Sequence, residues 1–189
     1  MSEGFHVHGP HDHEVEHATQ HGDPFAGRIA VMTAIFATIG AMFGYMGGAT
    51  QNAALLYKNE AAIRRAEASD QWNFYQAKSS KQNLAELGAT LTTGETQLKL
   101  AKEVERYRAE KEEIMPKAKK LEADSEAAEA SSEASMHVHH RWAQATTLIQ
   151  IAIALAAITI LTRNKGLQYT AYGVAAAAIA VGALAVMHV

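Results

Sequence analysis

Residues 29–48 read IAVMTAIFATIGAMFGYMGG and carry no charged side chain. Residues 49–87 continue as ATQNAALLYKNEAAIRRAEASDQWNFYQAKSSKQNLAEL, without a proline. An uncharged apolar run of roughly 20 residues matches the ~30 Å of hydrocarbon that a helix must cross. The second part keeps good helix formers and mixes its charges, as a solvated helix does. Together they predict one long helix that leaves a membrane and continues as a stalk in water.

Two further runs, Ala143–Thr162 and Leu167–Met187, also lack Asp, Glu, Lys and Arg. The fold class expected is therefore an all-α membrane protein. Three transmembrane helices carry a long antiparallel helical hairpin, coiled-coil-like, projecting between the first and second span. The segments expected are a disordered tail at 1–27, a span at 28–48, the hairpin at 49–141 with its turn at 88–94, and spans at 142–162 and 166–188. The alternative is a soluble bundle with three buried helices, but soluble core helices normally keep a polar face. The mean hydropathy of −0.13 looks soluble only because the charged middle averages against the spans. Residues 29–48 do not read as a signal peptide, because an acidic tail rather than a basic segment precedes them.

The chain of 189 residues has no cysteine, which excludes disulfides, thiol catalysis and thiolate metal sites. A net charge of −3 argues against nucleic acid as a partner. In the middle segment acidic and basic side chains nearly balance, as on a solvated pair of helices.

Histidine is the chemically most suggestive residue. The tail carries His6, His8, His11, His13, His17 and His21 among acidic and glycine residues. His-rich tracts bind Zn²⁺, Ni²⁺ or Cu²⁺ through neutral imidazole. The plain alternative is a solvated tail that binds metal incidentally. A second cluster, His137, His139 and His140, lies in MHVHHRW beside Arg141 and Trp142, residue types that anchor helices at a headgroup layer. On a regular helix His137 and His140 can face one ion, but the three cannot do so together.

Packing positions form a second group. Gly40, Gly44 and Gly48 give GxxxGxxxG, a face that admits another backbone closely, within the chain or between copies. On the outgoing helix Leu56, Ile63, Ala66, Ala77, Leu84 and Leu87 fit one stripe, with Trp72 and Tyr75 as packing aromatics beside Phe74. Gly88 is expected to end that helix as its C′ residue, and Thr92 with Glu95 to open the next as a capping box. The return helix has a cleaner heptad. Gln97, Val104, Lys111, Ala118, Ser125 and Ser132 take a; Leu100, Tyr107, Ile114, Leu121, Ala128 and Ser135 take d. Pro116 falls on the outward side, where a kink or break is expected. Gln150, the one strong donor and acceptor inside a span, is expected to face protein.

The runs ASDQWNFYQAKSSK (68–81) and HVHHRWAQATTLIQIAIALAAI (137–158) resemble the DUF4337 family of bacterial membrane proteins, over most of the chain from about Phe25. The resemblance implies the three-span layout and a multi-pass location in the bacterial inner membrane. The family has no assigned activity, so it implies none. Three spans put the tail and the Arg163–Lys165 turn on one side, and the hairpin, His137–His140 and the C-terminus on the other. The two histidine clusters therefore cannot share one site within a single membrane. Arg28, Arg163 and Lys165 favour the tail side inside and the hairpin on the periplasmic side.

These features predict a homo-oligomeric scaffold that associates through glycine faces and the hairpin. Its partners are the lipid bilayer, further copies and other membrane proteins. No resident cofactor is expected. No nucleophile–base grouping, phosphate loop or carboxylate pair has a meaningful spacing, so no enzyme activity is expected. The competing readings are a histidine-dependent metal-binding or metal-homeostasis protein and a small oligomeric channel. The channel reading is the weaker, because no charge lies within a span.

Overall fold

A computed structural model describes residues 24–187. Among these the chain is all helical, with no strand. Helix α1 spans Pro24–Leu91 and α2 spans Glu95–Thr162, 68 residues each; α3 spans Lys165–Val186, 22 residues. Each holds a run long and apolar enough to cross a membrane. Pro24 suits the first position of α1, where its fixed φ helps and its missing N–H costs nothing. The contacts form two compact units. One takes in the chain up to Gln51 and from Met136; the other is Asn52–Ser135.

In the unit 52–135, α1 buries Ala54, Ala61 and Ala68, then Gln82 and Ala85. From α2 it meets Val104, Ile114, Ala118, Ser125, Ala128 and Ser132, all buried. The Ser125 hydroxyl donates to the Ala61 carbonyl at 2.9 Å, and Ser132 donates to Ala54 at 2.9 Å. A serine side chain is short, so it reaches another helix's backbone only where the two helices nearly touch. The alanines on α1 make that approach sterically available. Farther along, Lys78 pairs with Glu110, and Gly88 lies against Leu100. Contact positions thus rise on α1 as they fall on α2.

The stripe of large residues expected on α1 is not its buried face. Leu56 is 62% exposed and Leu84 70%, and Ile63 and Leu87 are likewise exposed. The seam instead repeats alanine every seven residues, because helices this close have no room for leucine between them.

The connection also differs from expectation. α1 runs through Gly88 to Leu91, and the left-handed position is Gly94, at φ 70°. Gly88 serves close approach: a Cβ there would lie 3.0 Å from Leu100 Cδ1. Thr92 donates its hydroxyl to the Gly88 carbonyl at 2.8 Å, so it closes α1 rather than opening α2. Helix α2 continues unbroken through Pro116. That residue is exposed, so water can take up the carbonyl that its missing N–H leaves without a helical partner.

In the other unit the core is Ile29, Met32 and Phe36 of α1, Ile149, Ala152 and Ala156 of α2, and Ala171, Ala175 and Ala178 of α3. The buried positions of α3 (Ala171, Ala175, Ala178, Gly182, Ala185) form one narrow small-residue seam. Asn164 caps that helix by accepting from Gly166 N at 2.8 Å. The threonines of the apolar runs satisfy themselves. Thr33, Thr38, Thr146, Thr147, Thr159 and Thr170 each donate to the carbonyl four residues back.

The alanine seam makes a contrast that substitution can read. Ala61→Leu should cost roughly 1–3 kcal/mol by overpacking. Leu56→Ala should stay within about 0.5 kcal/mol, as exposed positions do. Thermal unfolding followed by helical circular dichroism distinguishes the two; equal effects would place the seam elsewhere.

Candidate functional site

Among the described residues, the expected site groups do not come together as one reactive centre. His6, His8, His11 and His13 lie outside the described residues. His137 and His140 are exposed. His139 is half-buried and donates from Nδ1 to the Gly47 carbonyl at 2.9 Å. A carbonyl only accepts, so Nδ1 carries the proton and Nε2 is left as the second polar atom of the ring. The rings of His139 and His140 are 5.7 Å apart. Among the described residues, no group of three His, Asp or Glu side chains is placed to hold a metal ion. Successive residues on a helix point about 100° apart, which spreads HVHH around α2.

The glycines divide differently from the GxxxG pattern. Gly44 and Gly48 are exposed, and a Cβ on either would meet nothing within 4 Å. The glycines at contacts are Gly40 and Gly47. A Cβ on Gly40 would lie 3.1 Å from Ile149 Cγ2, and one on Gly47 3.4 Å from Trp142 Cβ. Within the chain, the glycine spacing that packs is seven residues, not four. Gly47 belongs to a tight cluster. Phe43 and Trp142 have ring centroids 5.5 Å apart. A Cβ on Gly182 of α3 would fall 2.9 Å from Phe43 Cζ, so only glycine fits beside that ring without a shift.

In the unit 52–135, Trp72 and Tyr75 are half-buried and meet edge to face at 5.6 Å. The Trp72 indole N–H donates to Glu122 Oε1 at 2.8 Å. Lys111, at an a position, lies 5.3 Å from the Tyr75 ring centre, so its charge finds an aromatic face. Val104 and Ile114 are buried, and Tyr107 and Leu121 half-buried. The ammonium of Lys78 lies 5.7 Å from the Tyr107 ring and bonds Glu110, holding that carboxyl below its ordinary range; Arg106 and Lys81 pull the same way.

Gln150 is exposed. It makes no side-chain hydrogen bond to any described residue, unlike the threonines around it. Among the described residues it does not face protein. Outward with it lie Ala143, Thr147, Ala154 and Ala157, all exposed.

Sequence reasoning missed Gly47 and the alanine seam. The available signal was the strict seven-residue spacing of Gly40, Gly47, Ala54, Ala61 and Ala68 on one helix.

Residues 25–188 match the model of a family described as a domain of unknown function, DUF4337. No curated protein and no solved structure matches the chain.

Two measurements follow from this geometry. Gly47→Leu should cost roughly 1–3 kcal/mol through overpacking against Trp142. Gly44→Leu should be neutral or stabilising by up to about 1 kcal/mol from helix propensity. The depressed Glu110 carboxyl stabilises the fold above the ordinary carboxylate range near pH 4.3, and that contribution is lost as pH falls through its lower folded value. Glu110→Gln should therefore differ from the parent in thermal stability near neutral pH. The difference should vanish in strong acid; one that persists there would mean a non-electrostatic cause.

Proposed function

We propose that this chain, which belongs to the DUF4337 family, works as a membrane-embedded scaffold whose copies associate in the bilayer. Its paired helices then stand outside the bilayer as an antiparallel hairpin offered to partners. One observation carries the reading. Among the described residues, the unit up to Gln51 and from Met136 has no acidic side chain, and its only charges are Arg28, Arg141, Arg163 and Lys165. Its outward side chains are apolar nonetheless: Val31 and Met42 are each 63% exposed, and Ile35, Ile151, Ile158 and Ile179 are also exposed. In water such a surface would be an aggregation liability; in hydrocarbon it is the expected one. Threonines that bond their own helix fit the same solvent.

The hairpin reading is supported by the opposed order of contacts between 54–88 and 100–132. Its surface charges form pairs along each helix, such as Lys99 with Glu95 and Arg64 with Glu60, as a solvated stalk requires. The bacterial inner membrane is the location this reading assigns, and the role is assembly rather than a reaction.

Expressed in bacteria, the protein should stay with membranes through an alkaline carbonate wash. In mild detergent it should sediment as a multiple of its 20.4 kDa chain. Release by carbonate would end the membrane assignment. A monomer at every concentration would end the scaffold.

A further inference from the structure

We infer that two copies meet on the exposed face of α2 centred on Gln150, an interface that rests on the membrane reading above. Gln150 lies seven residues beyond Ala143 in the uncharged run of α2, exposed and, among the described residues, without a hydrogen-bond partner. The threonines beside it are satisfied: Thr146 bonds Trp142 at 2.8 Å, and Thr147 bonds Ala143 at 2.9 Å. Gln150 is thus the amide that the chain's own packing leaves over in this run. Lipid tails offer it neither a donor nor an acceptor.

The face around it is built for close approach. Ala143, Thr147, Gln150, Ala154 and Ala157 recur at four and three residues and are small around Gln150, until the exposed Leu161 ends the row near the turn. The bulkier Ile151 and Ile158 flank this face rather than lie on it. On α3 a row of small residues is covered at Ala171, Ala175 and Ala178. Open rows lie on α1 (Ala34, Ala37, Ala41), on the outer side of α3 (Gly173, Ala176, Ala180) and here on α2, and of these the α2 row is the one that carries an amide.

The occupant is a second copy, because a carboxamide is self-complementary. Each Gln150 donates through its NH₂ and accepts through its C=O, so two related by a two-fold axis satisfy each other. Copies inserted the same way share a two-fold axis along the membrane normal. Like residues then face each other across it, Ala154 against Ala154 and Ala157 against Ala157.

The absence of cysteine makes the test direct. Single-cysteine variants Ala154→Cys and Ala157→Cys, oxidised in isolated membranes, should form disulfide-linked dimers. Ile179→Cys, exposed on α3, should form at least several-fold fewer. Adding Gln150→Leu to Ala154→Cys should lower the dimer yield several-fold at low expression, while the far-ultraviolet spectrum stays unchanged. Equal cross-linking from 154 and 179 would overturn the interface, as would a Gln150→Leu variant that dimerises undiminished. A cross-link from 154 to a protein of different mass would overturn the second copy as occupant. An oligomer in detergent that cross-links only through Gly44→Cys would overturn this face and leave the scaffold standing. A monomer throughout would overturn the scaffold itself.

Discussion

A serine hydroxyl can bond the main chain of a neighbouring helix only when the two helices nearly touch, and most of this structure depends on that closeness. Ser125 and Ser132 reach the carbonyls of Ala61 and Ala54 because the facing positions are alanine. Each carbonyl already accepts its own helical bond, so the serine uses a second lone pair. Burying a hydroxyl then leaves no donor unmade, the condition under which a polar residue fits a core. The seam is thin in hydrophobic area, and the edge-to-face pair of Trp72 and Tyr75 supplies bulk nearer the turn.

The unit up to Gln51 and from Met136 uses small residues for a different end. There α2 buries Trp142, Ile149 and Ala156 together with Ala145, Ala152 and Thr159, while Thr146, Ile153 and Ile160 are half-buried. That face is broader than the a and d face it buries at 104–132. A helix with one neighbour needs a narrow stripe, and one with two needs a wide one. The contacts agree: Ile149 meets Gly40 of α1, and Trp142 approaches Gly182 of α3. The aromatic pair of Phe43 and Trp142 fills the space that the glycines open.

How much of this was legible depended on which periodicity was heard. The helical content and the three apolar runs were plain, since about 20 uncharged residues in a row have few other readings. So was the register of α2, where Val104, Ile114, Ala118, Ser125 and Ser132 are all buried. On α1 the large side chains drew attention and misled. Leucine marks a buried face when helices pack at ordinary distance, but here closeness excludes it, and alanine carries the seam. Alanine is too common in helices to announce itself. Within the chain Gly47 makes the contact that the four-residue spacing, the familiar glycine signal, offered to Gly44 and Gly48. The Thr92 hydroxyl and the outward amide of Gln150 were not legible at all. Sequence gives a residue's place on a helix, not which neighbour arrives there.

A seam of nearly identical small residues has a weakness as a ruler. Slide α2 by seven residues and Ser125 would face Ala54, and Ala118 would face Ala61, with little lost in shape. What forbids the slip lies nearer the turn. Tyr75 takes the ammonium of Lys111, Trp72 takes Glu122, Lys78 takes Glu110, and Leu100 covers Gly88. One heptad away Tyr75 would meet Val104 in place of Lys111, Trp72 would meet Met115 in place of Glu122, and Gly88 would meet Thr93 in place of Leu100. Lys78 alone would find another carboxylate, Glu103, and the connection at residues 92–94 has no slack to give. The aromatic and charged end therefore works as the pin of a vernier whose fine, repetitive scale is alanine. Pairing that begins at the turn reaches the seam already in register, whereas pairing that began in the alanines would have to come apart to correct itself.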